Sequence, residues 1–142
     1  GVDYVGAYPA GEYWITKSLR AIHGTIARSN GSTASAYANK NPHISTVFGH
    51  SHRQEIQYKT VADADGPIRS VSASPGCLCR IDGAVPSYGS GLTDQGRPVK
   101  HWEDWQQGIM IGWIRPNGHF TLQPIHIMDG WAIYEGIEFK AE

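Results

Sequence analysis

The chain alternates between short apolar runs and polar punctuation, and the runs have the lengths of strands. Leu19 to His23 is a largely apolar stretch closed by Gly24, and Ile44 to Phe48 is a β-branched and aromatic run closed by Gly49. Each predicts a buried strand. Between them, Ser32 to Ala38 collects small helix-tolerant residues behind Ser32 or Thr33 as N-cap, and Asn39 to Pro42 breaks the run, so a short helix is expected. From Gln54 onward the pattern is that of strands. Glu55 to Val61 alternates, and a turn over Asp63 to Pro67 leads into a strand from Ile68 to Ala73. Three further strands are predicted at Gly108 to Ile114, Phe120 to Ile127 and Trp131 to Tyr134, the first two joined at Pro116-Asn117-Gly118. Residues 1–18 (Tyr8-Pro9, Gly11, Tyr13, Trp14) predict an irregular approach, and the glycine- and proline-bearing residues 82–100 a loop. The expected organisation is one α/β (α+β) domain over residues 1–142: two β/α steps, with one or two short helices, followed by a mostly antiparallel sheet.

Composition narrows the function classes. Twelve Lys+Arg against thirteen Asp+Glu give a formal charge of −1, so no strong field draws in nucleic acid or an anionic membrane. Apolar residues at 40% and aromatics at 11% are incompatible with a mostly disordered chain. No apolar run reaches the roughly 18–20 residues of a membrane span, and no charged-then-apolar leader opens the sequence, although Gly1-Val2-Asp3-Tyr4-Val5 reads like the interior of a longer protein. Cys77 and Cys79 sit two apart, a spacing that places both on one face of a strand yet disfavours a disulfide between them. With no other cysteine as partner, a reducing cytoplasm is expected. Without a CxxC spacing, the pair reads as two small buried hydrophobes rather than a redox or metal site.

The chemistry concentrates in the histidines. Gly49-His50-Ser51-His52 sets two imidazoles at i and i+2 directly after an apolar run, where continued strand geometry would point both rings the same way, towards a common metal. Gly49 lets the backbone approach an ion or turn sharply. Two polar residues at a strand exit would explain the pair equally well without function.

A second feature favours metal. Val47-Phe48-Gly49-His50-Ser51-His52-Arg53 resembles the last signature of the calcineurin-like metallophosphoesterases, an apolar strand delivering Gly-His-x-His. Ala21-Ile22-His23-Gly24 is similar to that family's upstream histidine in residue type, context and order, and the intervening helix fits its strand–helix–strand step. Ala73-Ser74-Pro75-Gly76 is similar to the small-residue and Pro/Gly strand end that follows the signature in the family, and Cys77 to Asp82, His101 to Gly108 and Asp129-Gly130-Trp131 look like phage-encoded members. The resemblance covers roughly residues 1–135, most specifically 20–53. It implies the C-terminal half of a metallophosphoesterase β-sandwich in which His23 and His50 bind one ion of a dinuclear centre and His52 the other. Imidazole nitrogens suit Mn, Zn, Fe or Ni, and two such ions clamp a phosphoester and activate water.

The departures are equally specific. The family's earlier Asp-x-His, its Gly-Asp bridging carboxylate and its Gly-Asn-His-Asp/Glu do not precede His23; Asp3 is followed by Tyr4-Val5, and Asn39 and Asn41 come after His23. The resemblance therefore implies metal-ligand histidines without a complete catalytic set, and no catalytic residue is assigned. Hydrolysis of a phosphodiester or monoester would require a missing N-terminal half in trans.

The remaining candidates have plainer readings. Arg53 could hold a phosphate oxygen, against which stands a solvated arginine at a strand end. His43 reads as a surface residue, His101 as structural despite Glu103 and Asp104 nearby, and His119 and His126 as lying on opposite faces of a strand. Asp129 reads as opening a turn with Gly130. Trp102, Trp105, Trp113 and Trp131 read mostly as core. With so little positive charge, single-stranded nucleic acid is a weak candidate, and the glycines at 83, 89, 91 and 96 form no phosphate cradle. The alternative function is non-enzymatic: an interaction protein or homo-oligomer built on the half-domain, pairing through an uncovered sheet face or edge. A cupin-like metal barrel, with His50, His52 and Glu55, leaves His23 unexplained.

Overall fold

The computed structural model describes residues 5–28, 30–85, 95 and 103–141. Among the described residues the fold is mostly β-sheet with one short helix. Its centre is a five-stranded sheet of β1 (Glu12–Trp14), β2 (Leu19–Ile22), β3 (Ser45–Phe48), β4 (Gln54–Asp63) and β5 (Gly66–Pro75), in the order β1-β2-β3-β5-β4. Two further pairs follow: β6 (Gln107–Ile114) with β7 (Phe120–Ile127), and β8 (Trp131–Tyr134) with β9 (Ile137–Lys140). Among the described residues no helix is long and apolar enough to cross a membrane.

The apolar runs at 19–23 and 44–48 form adjacent parallel strands, Leu19 opposite Ser45 and Ile22 opposite Phe48. A parallel pair needs a crossover, and α1 (Thr33–Lys40) supplies it. Ser32 stands at the N-cap position but its side chain makes no capping bond. Instead Glu55, on β4, accepts a hydrogen bond from Ala34 N at 2.8 Å, and Thr33 Oγ1 accepts one from Arg28 N at 3.0 Å. A helix end normally satisfied locally is here pinned by a carboxylate from the sheet, which also suits the positive end of the helix dipole.

The second expected β/α step is absent among the described residues. β3 is parallel to β5, but the intervening chain is β4, which runs back along the sheet edge and turns through Ala64-Asp65 so that β5 inserts between β3 and β4. The hairpin loop has two residues, tighter than the turn expected over 63–67, and Gly66 accepts the positive φ of 119° there. Two strands were not expected. β1 falls inside the irregular approach and β9 follows Tyr134.

The largest buried apolar side chains pack under α1: Tyr37 and Phe48 have ring centres 4.6 Å apart, with Ala34 beside them and Ile22 and Ile26 at the margin. Elsewhere the sheet buries Leu19, Val71 and Ala73 together with the hydroxylic side chains of Thr46, Ser72 and Ser74. The tryptophans correct the expectation of core packing. Trp113 and Trp131 are 43% and 42% exposed, and Trp105 is half-buried against His52; Trp102 lies outside the described residues. His43, His119 and His126 are exposed. The expectations for His101, for Asp3 and Tyr4, and for the glycines at 89, 91 and 96 also fall outside the described residues.

Candidate metal centre

Parallel strands that end together deliver whatever follows them to one edge of the sheet. His23 follows β2 and Gly49-His50 follows β3, and Gly49 N donates to His23 O at 3.0 Å, fastening the two strand ends. A Cβ on Gly49 would stand 3.4 Å from that same carbonyl, an ordinary contact, so the approach itself does not require glycine. The result is that the His23 and His50 rings meet with centres 5.3 Å apart and planes at 62°. Tyr8 closes the other side of His23 at 5.0 Å, and a cavity of about 480 Å³ opens here, lined by Tyr8, Pro9, Gly11, His23 and His50 among others.

The backbone beyond Phe48 does not keep strand geometry. His50 and His52 both have left-handed φ, 68° and 55°, and Ser51 N donates to Gly49 O at 2.8 Å, a tight turn between the two histidines. His50 and His52 are therefore joined by a turn and not by strand alternation. His52 faces Trp105, with ring centres 4.4 Å apart, and its Nδ1 is buried without a hydrogen-bond partner. Burial first, and then the neighbouring His50 and His23, hold its pKa below the ordinary histidine value, which favours the neutral ring that a metal requires.

The ring chemistry of His23 also suits a ligand. Its Nδ1 lies 2.9 Å from Gly24 O, and because a carbonyl can only accept, Nδ1 carries the proton in the neutral ring. That leaves the Nε2 lone pair as the donor, the usual arrangement for a metal-ligating histidine whose other nitrogen is held by the backbone. Separation gives a second test. An ion about 2.0–2.1 Å from a ring nitrogen lies about 3.2 Å from the ring centre, so two such rings at the tetrahedral angle have centres about 5.2 Å apart. At 5.3 Å the His23 and His50 rings make an edge contact like the one His23 makes with Tyr8 at 5.0 Å, and that spacing also has room for one shared ion.

Arg53 is not solvated. Nε donates to Asp104 O at 2.9 Å, Nη1 to Arg28 O at 2.6 Å, and Nη2 pairs with Asp104 Oδ2 at 3.1 Å. The guanidinium thus clamps the loop after His23 to the segment before β6. Glu55 is engaged with the helix, as described above, rather than grouped with His50 and His52.

The cysteines are a site that the sequence reading passed over. Among the described residues, the one group of three or more His, Cys, Asp or Glu side chains with ligand atoms all within 4.8 Å of one another is His52, Cys77 and Cys79. Both cysteines are free thiols, half-buried, and burial together with Cys79 pushes the Cys77 thiol up to about 11. The hairpin explains the meeting. Gln54 pairs with Pro75 at the open end of the β4–β5 hairpin, so the segments just beyond it, with His52 on one side and Cys77 and Cys79 on the other, leave the sheet side by side. Comparison of the chain with protein-family models, curated proteins and solved structures returned no match.

Proposed function

We propose that this chain carries the histidine half of a two-metal phosphoesterase centre of the calcineurin-like type. His23 and His50 hold one divalent ion and His52 serves a second. The observation that carries the reading is the His23–His50 pair, seated at the ends of adjacent parallel strands with a ring separation that has room for one shared ion. The His23 tautomer, the partnerless buried Nδ1 of His52 and the cavity beside His23 support it. Bound ions of this kind polarise a phosphoryl oxygen and lower the pKa of water. The chain's own part is to fix the imidazoles through Gly49 and Gly24 and to leave open space beside them. Residues 1–22 carry no Asp-x-His, Gly-Asp or Gly-Asn-His motif, so these 142 residues bind metal without turning over a phosphoester. The test is hydrolysis of a nitrophenyl phosphodiester by the manganese-loaded chain, with and without a polypeptide carrying those motifs. Background rates alone and activity on mixing support the reading; activity on mixing that survives His50→Ala overturns it.

A second reading, partner binding without catalysis, is favoured by the β8–β9 pair. Trp131 and Ile133 project on one face of this ribbon and Ile137 and Phe139 on the other, all exposed, in a two-stranded element that has little stability of its own.

A further inference from the structure

Cys77, Cys79 and His52 come from two points 25 residues apart in sequence, and the structure holds them from several sides. Cys77 N donates to Gln106 O at 3.0 Å and Gly108 N to Cys77 O at 3.0 Å, so the residue is locked into a bridge beside β6. Cys79 O accepts from Gln107 Nε2 at 2.8 Å. His52 O accepts from Gln106 N at 3.1 Å, and Gln106 Oε1 accepts from Gln54 N at 3.1 Å. One segment, Gln106-Gln107, therefore fastens all three donors. Upstream, Gly76 takes a φ of 89°, which turns the chain out of β5 so that Cys77 and Cys79 leave the sheet together.

From this juxtaposition we infer that His52, Cys77 and Cys79 form a binding site for a soft divalent cation, zinc above all. The donor set is two thiolates and an imidazole, the combination that selects zinc over magnesium, calcium or manganese. Tetrahedral zinc, with Zn–S about 2.3 Å and Zn–N about 2.0–2.1 Å, needs donor atoms about 3.6–3.8 Å apart. The three ligand atoms already lie within 4.8 Å, so rotation of the cysteine side chains closes the difference while the backbone stays fixed. A second observation points to a ligand as well: His52 Nδ1 is buried and without a partner, an arrangement that costs stability unless something fills it. Three protein donors leave the fourth position of the ion open. The site uses as its imidazole the same His52 that the phosphoesterase reading gives to a second ion, with the two cysteines supplying that ion's other donors; the inference rests on the cysteine geometry and not on the phosphoesterase reading.

The experiment is a cobalt titration of the reduced, metal-free chain, followed by competition with zinc. Cobalt bound by thiolate gives a sulfur-to-metal charge-transfer band in the near ultraviolet, which cobalt on imidazoles alone does not. The expected result is a charge-transfer band that saturates at one equivalent, is abolished by one equivalent of zinc, is lost in Cys79→Ser and persists in His23→Ala and His50→Ala. The absence of the band in the wild-type chain overturns the inference, and so does a band that Cys79→Ser leaves intact. Far-ultraviolet circular dichroism establishes that the variant is folded, and Cys77→Ser gives a second, independent loss. The phosphoesterase reading fails on a different result, a metal content indifferent to His23 and His50, so the two can fail separately.

Discussion

Tyr37→Phe is the most informative single perturbation of the scaffold. Tyr37 is only 4% exposed, and its hydroxyl oxygen accepts hydrogen bonds from Thr25 N at 2.9 Å and Ile26 N at 3.1 Å. These two amides belong to the loop that leaves His23, so α1 fixes the chain beside the candidate ligand through a single oxygen. Phenylalanine keeps the packing against Phe48 and removes only the acceptor. Each hydrogen bond contributes about 1 kcal/mol net, so the pair is worth about 2 kcal/mol. For a chain of this length that corresponds to a fall in Tm of about 6 °C. Gly24 argues the same geometry from the other side: with φ of +88°, a Cβ there would come within 2.6 Å of the Tyr37 hydroxyl. Thermal and urea unfolding followed by circular dichroism measure the change, and metal affinity should weaken in parallel because the His23 loop is released. A Tm within about 1 °C of wild type would mean that water replaces the hydroxyl and that the loop is held by other contacts.

Three further outcomes are expected. Glu55→Ala removes the carboxylate that receives Ala34 N and should cost about 1 kcal/mol in urea unfolding. Metal content should stay unchanged in that variant, whereas a cupin-like centre would lose its ion. Stability of the metal-free chain should fall with acidification: His52 has a folded-state pKa below its ordinary 6.5, so as the pH drops below that value the unfolded chain takes up the proton first. The stabilisation is present above about pH 6.5 and lost as the pH passes down through the folded-state pKa, and His52→Gln, which leaves His23, His50, Cys77 and Cys79 around an uncharged side chain, should flatten this part of a urea-midpoint profile. Self-association through the β8–β9 ribbon should show as a concentration-dependent sedimentation coefficient that Ile133→Lys abolishes; a monomer at all concentrations would count against the ribbon as a self-pairing surface.

Strand, helix and hairpin signals in the sequence were those with a local physical cause. The apolar runs before Gly24 and Gly49, and the small-residue stretch after Ser32, became β2, β3 and α1 with ends shifted by a residue or two. The turn at Pro116-Asn117-Gly118 joins β6 and β7 as expected, with Gly118 N donating to Arg115 O at 2.9 Å. What escaped was set by partners far along the chain. β1 has three exposed residues, Glu12, Tyr13 and Trp14, and exists through pairing with β2 and the Glu12–Arg20 ion pair at 3.0 Å. The helix cap lies 21 residues downstream in Glu55, beyond any local capping pattern. The His50/His52 alternation failed because positive φ at both residues replaces strand geometry by a turn.

The cysteine site was legible in principle. A two-residue loop at Ala64-Asp65 fixes the register of β4 and β5, and that register brings Gln54 opposite Pro75, so that His52 and the two cysteines lie just beyond the same end of the hairpin. Placing the turn over residues 63–67 hides the relation, since a shift of one residue changes which side chains meet. Reading Cys77 and Cys79 by the lack of a CxxC motif hides it further, because the third donor comes from the neighbouring strand end.

The most direct test of the account is the metal content of the reduced chain after loading with Mn²⁺ or Zn²⁺ and gel filtration, measured in a Cys79→Ser background so that a thiolate-bound ion is not counted. The His23–His50 pair predicts at least one retained ion per chain, lost in both His23→Ala and His50→Ala. Equal metal content in all three proteins would contradict it and leave the two imidazoles as a ring contact without a ligand role.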